Sequence, residues 1–573
     1  MNLVFAYLSP FKKRMSVGLA IKISATLVEL LLPYILTHIL KDVVSSGSLK
    51  NILLWGGLML LCAAITCIGN IIANRMAAKV SRDFSEKMRS DLFERTMSLS
   101  AAQVDRFTVP SLESRITTDT YHVHNFVGMM QRMGVRAPIL LLGGVGITLF
   151  MDRTLALVMI ALLPIVFLAV YLISRNGVPL YTGVQKANDD MVRIVREDTQ
   201  GIRVIKALSK NEYENRRFNE KNSALSSSEQ HAGIVMCTVN PIMTLLMNLG
   251  TTAVVAFAAV RVAGLKSDPE TVIAFIQYFT LISMAMMTLS RIFIMFTKCA
   301  ASARRISEVI NTPYDMQIIN DTKALDYSEQ HISFRDVSFS YGGPHMHLSN
   351  IDFSLNRGES LGIIGATGSG KSTIVNILLR FYDATQGGVY IYGKDVRSIP
   401  QEKLRSKLGV ALQNDFLYAG TIEENIKFGR NLSIEQVYKA AKIAQAYDFI
   451  TAFPDGFGHI LSQKGSNISG GQKQRILIAR AIADEPEILI LDDSSSALDY
   501  KTDANLRAAL KSELKHSTVI TVAQRVSSVK DCNLILVLDR GRIIGKGTHA
   551  QLLELCPEYK QISDSQMGGS FVE

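Results

Sequence analysis

The residues equipped for chemistry lie in the second half of this 573-residue chain. Gly365-Ala-Thr367-Gly368-Ser369-Gly370-Lys371-Ser372 has the glycine spacing and terminal Lys-Ser of a phosphate-binding loop. It follows an apolar run, Ser360–Ile364, and precedes a helical run, Thr373–Arg380, which is the strand–loop–helix context the motif needs. Glycines let the backbone curl so that its N–H groups face phosphate oxygens, and the following helix adds the positive end of its dipole. Lys371 is placed to reach β- and γ-phosphates, and the Ser372 hydroxyl to bind Mg²⁺. Downstream, Ile488-Leu-Ile-Leu-Asp492 reads as a buried strand ending in an acid, where a carboxylate can hold the hydration shell of that Mg²⁺. Between the two lies Ser469-Gly470-Gly471-Gln472, a second set of N–H donors at a predicted helix start. It has no lysine, so it is not a second phosphate loop.

The elements that carry these motifs divide the sequence in two. Up to about Ala300 there are repeated apolar runs, expected as membrane spans near 15–40, 52–74, 134–151, 154–174, 233–263 and 271–298. After that the composition is that of an α/β protein. The connections Lys41–Asn51, Met151–Thr154 and Gly264–Glu270 are short, whereas Arg75–Met133 and Ser174–Ala232 are long and charged. Basic residues crowd the long ones, among them Arg75, Lys79, Arg82 and Lys87, which puts them and both termini in the cytoplasm. Their helical periodicity continues from the spans, so they read as helices running on out of the membrane. The net charge of +10 fits that distribution better than nucleic-acid binding. Met1–Arg14 is short and ends in Lys12-Lys13-Arg14, and the apolar stretch after it exceeds a signal peptide's, so it is expected to remain as the first span. The six cysteines form no CxxC pair and read as small buried residues, not as disulfides or a zinc site.

Residues 331–560 resemble the nucleotide-binding domain of an ATP-binding-cassette transporter. Tyr341 in Val-Ser-Phe-Ser-Tyr, the phosphate loop, Gln413, Ser469–Gln472, Asp492 and Ser496-Ala-Leu-Asp499 occur in the family's order. The first half resembles the six-helix exporter type. Ser111–Asp119, and Gly201–Ala207 with Glu212, Glu214 and Arg217, look like the segments around its coupling helices. The resemblance implies a transmembrane domain over 1–310, a linker over 311–330 and a nucleotide-binding domain over 331–573. It implies ATP with Mg²⁺ as ligands, Ser372 and Asp492 as metal-facing residues, and Gln413 as a residue that touches the metal or the attacking water and acts in catalysis with positions 493 and 524. Gly365, Thr367, Gly368, Ser369, Gly370, Lys371, Ser372 and Thr373 would cradle the phosphates, and Tyr341 would stack on adenine. Ser469, Gly470, Gly471 and Gln472, with Asp499, would serve a second chain in a head-to-tail ATP sandwich. The expected setting is a plasma membrane, in a bacterium.

Two positions depart from the family's pattern. Asp493 stands where a glutamate normally follows the acid, and Gln524 where the family has a histidine. Asp493 is one methylene shorter, and a glutamine neither titrates nor carries charge. Losing a positioned general base costs about 10² to 10⁴ in rate, so binding should survive at this chain's own site while hydrolysis suffers. The pattern is similar to the degenerate-site subunit of bacterial heterodimeric multidrug exporters, whose partner supplies the glutamate and histidine and borrows this chain's signature. A slow homodimer and a non-transporting ATP-gated regulator are the other readings. As cargo the membrane half suggests an apolar or amphipathic small molecule, a drug or lipid. Glu29, near mid-span, is the candidate cavity residue, with a structural bond between helices as its other reading. Met243, Met247, Met284, Met286, Met287 and Met295 soften the last two spans, as packing, lipid-facing or ligand-facing residues.

Overall fold

The computed structural model describes residues 1–45, 47–263, 269–319, 330–343, 345–413 and 415–567. Most of the expected linker, part of the connection Gly264–Glu270, and the side chains of Met243 and Met247 lie outside the described residues. The chain forms two units, Met1–Ser98 with Val109–Thr312, and Leu99–Thr108 with Pro313–Glu573.

The first unit is helical. Five described stretches are long and apolar enough to cross a membrane: Asn2–Val43, Leu49–Met97, Val109–Met151, Thr244–Arg261 and Pro269–Ile310. The span expected at 154–174 opens the helix Arg153–Ala207, whose described apolar part is the shorter stretch Arg153–Ala169. Helix Leu49–Met97 has 49 residues. At 1.5 Å per residue it reaches about 73 Å, more than twice the depth of a hydrocarbon core. Its two halves pack in opposite senses. In the first, Leu53, Leu54, Leu60 and Leu61 are exposed, as suits lipid contact. In the second, Ala73, Ala77, Val80, Phe84, Met88 and Leu92 are buried at helical spacing, the pattern of a helix in water. The long connections are thus helices that continue beyond the span.

The extensions are fastened by ion pairs. Asp119 is fully buried, accepts from Ser302 Oγ (2.8 Å) and Arg305 Nε (2.7 Å), and Arg115 pairs with Glu308 (3.3 Å). Arg217 Nη2 and Nη1 bind Glu197 (2.6 Å) and Glu214 (3.3 Å), closing the hairpin between Arg153–Ala207 and Asn211–Cys237.

Residues 99–108 differ from expectation. They fall inside the expected 1–310 domain but pack with the second unit. Helix Ala101–Phe107 is closed by a Ser100/Gln103 capping box. Ser100 Oγ donates to Asp315 (2.8 Å), Gln103 Nε2 to the Pro313 carbonyl (2.7 Å), and the Tyr382 hydroxyl to Asp105. Arg115 and Asp119, by contrast, bind the end of the last long helix, so the segment expected near the coupling helix belongs to the first unit.

In the second unit, β1 (Gln330–Phe339), β2 (Leu348–Asn356), β4 (Gln386–Ile391) and β5 (Lys394–Asp395) form an antiparallel sheet in the order β2-β1-β4-β5. A second sheet contains β3 (Ser360–Gly365), β6 (Leu408–Ala411), β9 (Ile488–Asp492), β10 (Thr518–Val522), β11 (Leu534–Asp539) and β12 (Arg542–Gly547) in the order β12-β11-β3-β10-β9-β6. All its pairs are parallel except β11–β12. Every residue of β9 is buried, as expected for a central parallel strand covered on both faces. A short pair, β7 (Gly420–Thr421) and β8 (Ile460–Leu461), sits among helices that include Ile434–Ile443 and Gly470–Ile482.

Candidate nucleotide site

Strand order assembles the site. Val522 of β10 is level with Asp492 on one side and Ile363 on the other. The loops leaving the carboxyl ends of β3, β9 and β10 therefore meet, which is where ligands bind in open α/β sheets. A cavity of about 550 Å³ opens there. Its lining includes Thr367, Gly368, Gly370, Lys371, Ser372, Thr373, Gln413, Asp492, Asp493 and Gln524.

The phosphate loop has the shape its glycines permit. Gly368 and Gly370 have φ of +82° and +102°, and a Cβ on Gly370 would come within 2.7 Å of the Leu348 side chain. A Cβ on Gly365 would lie 2.2 Å from the Leu538 carbonyl. Lys371 Nζ turns back to donate to the carbonyls of Gly365 and Ala366, both at 2.8 Å. Burial holds its ammonium below the ordinary lysine value, against the pull of Asp493 and Asp492. Asp492 is 4% exposed. Burial raises its carboxyl above the usual range, and a hydrogen bond from Ser372 partly offsets this. Among the described residues the buried Ser369 hydroxyl has no hydrogen-bond partner, an orphaned donor within the phosphate loop.

This donor set fits a nucleotide with Mg²⁺. Among the described residues no three His, Cys, Asp or Glu side chains stand together to hold a metal alone. One hydroxyl and one carboxylate suit Mg²⁺, which keeps several waters and takes phosphate oxygens.

Beside the cradle, three segments converge on one atom. Gln413 Nε2 and Gln524 Nε2 both donate to Asp493 Oδ2, each at 3.1 Å. Asp493 itself has φ of +50°, and its N–H is held by the Val522 carbonyl at 2.9 Å. The turn fixes the backbone, and the two amides fix the carboxylate.

Tyr341 does not line the cavity but stands next to it. Its hydroxyl accepts from Asn376 Nδ2 (3.1 Å) and donates to Thr373 Oγ1 (3.4 Å). Its ring meets Phe339, His347 and Tyr382 edge-on, with centroids 4.8–5.0 Å apart. Sequence reasoning missed Met346, His347, Arg540 and Gly541, which also line the cavity. Arg540-Gly541 is a hairpin turn with both φ positive, and Gly541 N–H donates to the Ser369 carbonyl (3.0 Å). Asp-Arg-Gly between two apolar runs is a turn signal. Only the pairing of β11 with β3 brings that turn over the phosphate loop.

The signature residues lie elsewhere. Ser469 caps helix Gly470–Ile482, its Oγ accepting from Gln472 N–H (3.3 Å) while Gln472 Oε1 accepts from Ser469 N–H (3.0 Å). Ser469 and Gly470 are exposed, and nothing lies within 4 Å of a Cβ built on Gly470. None of the four signature residues lines the cavity. Asp499 is exposed too and caps the helix Tyr500–Glu513, accepting from Thr502 N–H (2.9 Å) and Oγ1 (2.8 Å). The backbone bond from Thr502, followed by its hydroxyl, holds the Asp499 carboxyl below the usual range.

In the membrane half, Glu29 accepts from Arg136 Nε (3.2 Å) and Nη2 (2.5 Å). The bond between helices is therefore present, and the carboxylate has a cation already.

Residues 15–286 match the family described as ABC transporter transmembrane region, and residues 348–496 match ABC transporter. The chain is similar to the uncharacterized ABC transporter ATP-binding protein YfiB of Bacillus subtilis (strain 168), 34% identical over 99% of this chain and 99% of that protein. It is similar to the uncharacterized ABC transporter ATP-binding protein Rv1273c of Mycobacterium tuberculosis (strain ATCC 25618 / H37Rv), 31% identical over 98% and 97% respectively. Among solved structures it is similar to a bacterial Atm1-family ABC exporter with ATP bound, with a TM-score of 0.83 and 23% identity over 98% of this chain and 99% of that one. At that identity the likeness is one of fold.

Proposed function

This chain belongs to the ABC transporter family, in which ATP hydrolysis is coupled to transport, and from that premise we propose that it is the degenerate-site half of a heterodimeric exporter. Its six spans, the fourth being the start of Arg153–Ala207, would sit in a bacterial plasma membrane with the nucleotide-binding unit in the cytoplasm. The cargo would be apolar or amphipathic, a drug or lipid.

The observation that carries this reading is the clasp on Asp493. A general base must present a carboxylate oxygen to the attacking water. Here Oδ2 already takes two amide donors, Gln413 and Gln524, so water must compete for that oxygen, and the clasp fixes the direction in which Oδ1 is offered. The side chain is also a methylene short of a glutamate. Neither amide can take a proton. The cradle beside it is intact, so the site holds ATP without turning it over quickly.

Lys371, the loop N–H groups and the Ser369 hydroxyl would bind the phosphates, and Tyr341 would meet the adenine. Ser372, Asp492 and Gln413 would hold Mg²⁺, which neutralises phosphate charge when bound. The exposed Ser469–Gln472 turn and Asp499 would complete the partner's site, where hydrolysis proceeds. Nucleotide-driven closure would open the membrane cavity outward, and the partner's hydrolysis would reset it. Residues 99–108, which pack with the nucleotide-binding unit, are the natural lever of the first connection.

The test is to rebuild the site. Asp493→Glu with Gln524→His, in the purified chain with its partner's own base disabled, should raise ATPase by about 10²-fold or more, with ATP affinity little changed. Full-rate hydrolysis by the unaltered chain alone would refute the degenerate site and leave a homodimer.

A further inference from the structure

We infer that Gln566, in the helix Pro557–Met567, is a positioning residue for the nucleotide site: its side-chain amide braces the segment Gln524–Val526 and so sets where Gln524 stands over Asp493. This role rests on the reading of that site as one that holds ATP without turning it over quickly, and it brings the far end of the chain into the site's control.

Two bonds make the brace. Gln566 Nε2 donates to the Gln524 carbonyl (2.9 Å), and Gln566 Oε1 accepts from the Val526 N–H (2.8 Å). One amide thus spends its donor and its acceptor on backbone groups either side of Arg525. Residues 523–525 lie between β10 and the short helix Val526–Val529 and belong to neither, so their backbone groups need partners from elsewhere. At the upstream end, Ala523 N–H donates to the Ile363 carbonyl (3.1 Å), and the Val522 carbonyl accepts from Asp493 N–H (2.9 Å). At the downstream end, Gln566 takes over. The helix that carries it is anchored independently. Tyr559 is fully buried in one apolar cluster with Ala523 and Val526, which flank the held residues, and its hydroxyl bonds to His549 Nδ1 (2.7 Å). Gln566 itself is exposed, so packing does not dictate where its amide goes.

Two side chains leave the braced segment towards groups already described. Gln524 Nε2 reaches Asp493 Oδ2 (3.1 Å). The Arg525 guanidinium lies over the Tyr500 ring, 5.0 Å from its centroid, and Tyr500 directly follows the outward-facing Asp499. The last helix therefore fixes the main chain from which one side chain holds the clasp and the next touches the outward face. Gln524 lines the nucleotide cavity. It stands beside Asp493, at the end where a terminal phosphate would meet water, and a neutral amide there can donate to a phosphate oxygen. A displaced Gln524 would thus be felt by a triphosphate and not by a diphosphate. That difference separates a positioning role from a tie that only holds the fold.

The probes are MgATP and MgADP, titrated against the full chain in phosphatidylcholine nanodiscs. Gln566→Met keeps the side-chain length and a good helix former and removes both bonds. It should lower the preference for ATP over ADP by about three- to tenfold, the scale of one hydrogen bond, and leave ADP affinity unchanged. Gln524→Ala should lower the preference similarly. The double variant should go no lower than Gln524→Ala alone, because residues acting as one unit do not add. Gln566→Glu, which keeps the bond from Val526, should lose less than Gln566→Met. An unchanged preference in Gln566→Met would overturn the role, as would a loss there with none in Gln524→Ala. So would equal weakening of ATP and ADP by either Gln566 variant, or losses that multiply in the double variant. ATP hydrolysis is read in the same samples. Full-rate hydrolysis or absent ATP binding in the unaltered chain would count against the slow-site reading, whereas ATP held with a preference indifferent to Gln566 counts against this role alone.

Discussion

The phosphate loop and the signature turn are built from the same materials and left in opposite states. Each is a glycine–serine turn at a helix N-terminus. At the phosphate loop the chain folds over its own turn: Gly541 bonds to Ser369, Lys371 curls back on Gly365, and a cavity lies between them and Asp492. At the signature the turn closes on itself through Ser469 and Gln472, and Ser469 and Gly470 face outward. The difference teaches that N–H donors at a helix start are a site only where other elements surround them. The first turn has its surroundings within the chain, and the second, on the reading proposed above, would take them from another molecule.

The strongest way to break this contrast is at the outward turn. Ser469→Arg should lower ATPase of the assembled pair by about 10² to 10³, the scale of losing a preorganised donor, while this chain's own ATP affinity stays unchanged. Equal loss of both, in ATPase and nucleotide-binding assays, would mean the turn serves its own chain. Lys371→Ala should act the other way round, weakening ATP binding to this chain by about 10- to 100-fold through loss of a charge-assisted bond, as read by nucleotide titration. Asp493→Asn should reduce ATPase of the pair only modestly, far short of the about 10² to 10⁴ that removing a working base costs.

The smallest effect separates both turns from overall stability. His331 is buried, bonds to Thr518 Oγ1 (2.6 Å), and burial lowers its pKa from 6.5 to about 4. The unfolded chain therefore binds the extra proton first, and the stability tied to neutral His331 is lost as pH falls from 6.5 towards about 4. His331→Gln should flatten the melting temperature over that window without altering nucleotide affinity at neutral pH.

Features made by neighbours in sequence were legible. The strand–loop–helix of Ser360–Leu378, the buried strand ending at Asp492, the helix start at Ser469 and the long helical connections all follow from spacing, glycine freedom and apolar period. Their signals lie in runs of adjacent residues, so local pattern reveals them, although the strands bond to partners far along the chain. Features made across long separations were not. That Gln413 and Gln524 share one oxygen of Asp493 depends on β9 lying between β6 and β10. That residues 99–108 join the second unit depends on Ser100, Gln103 and Asp105 finding partners more than two hundred residues away. Glu29 was visible as an acid in an apolar span, but its cation, Arg136, came only from helix packing. The sequence determined which groups exist and how each turn is shaped. The tertiary structure decided which charges meet, because that depends on strand order and helix contact and not on position along the chain.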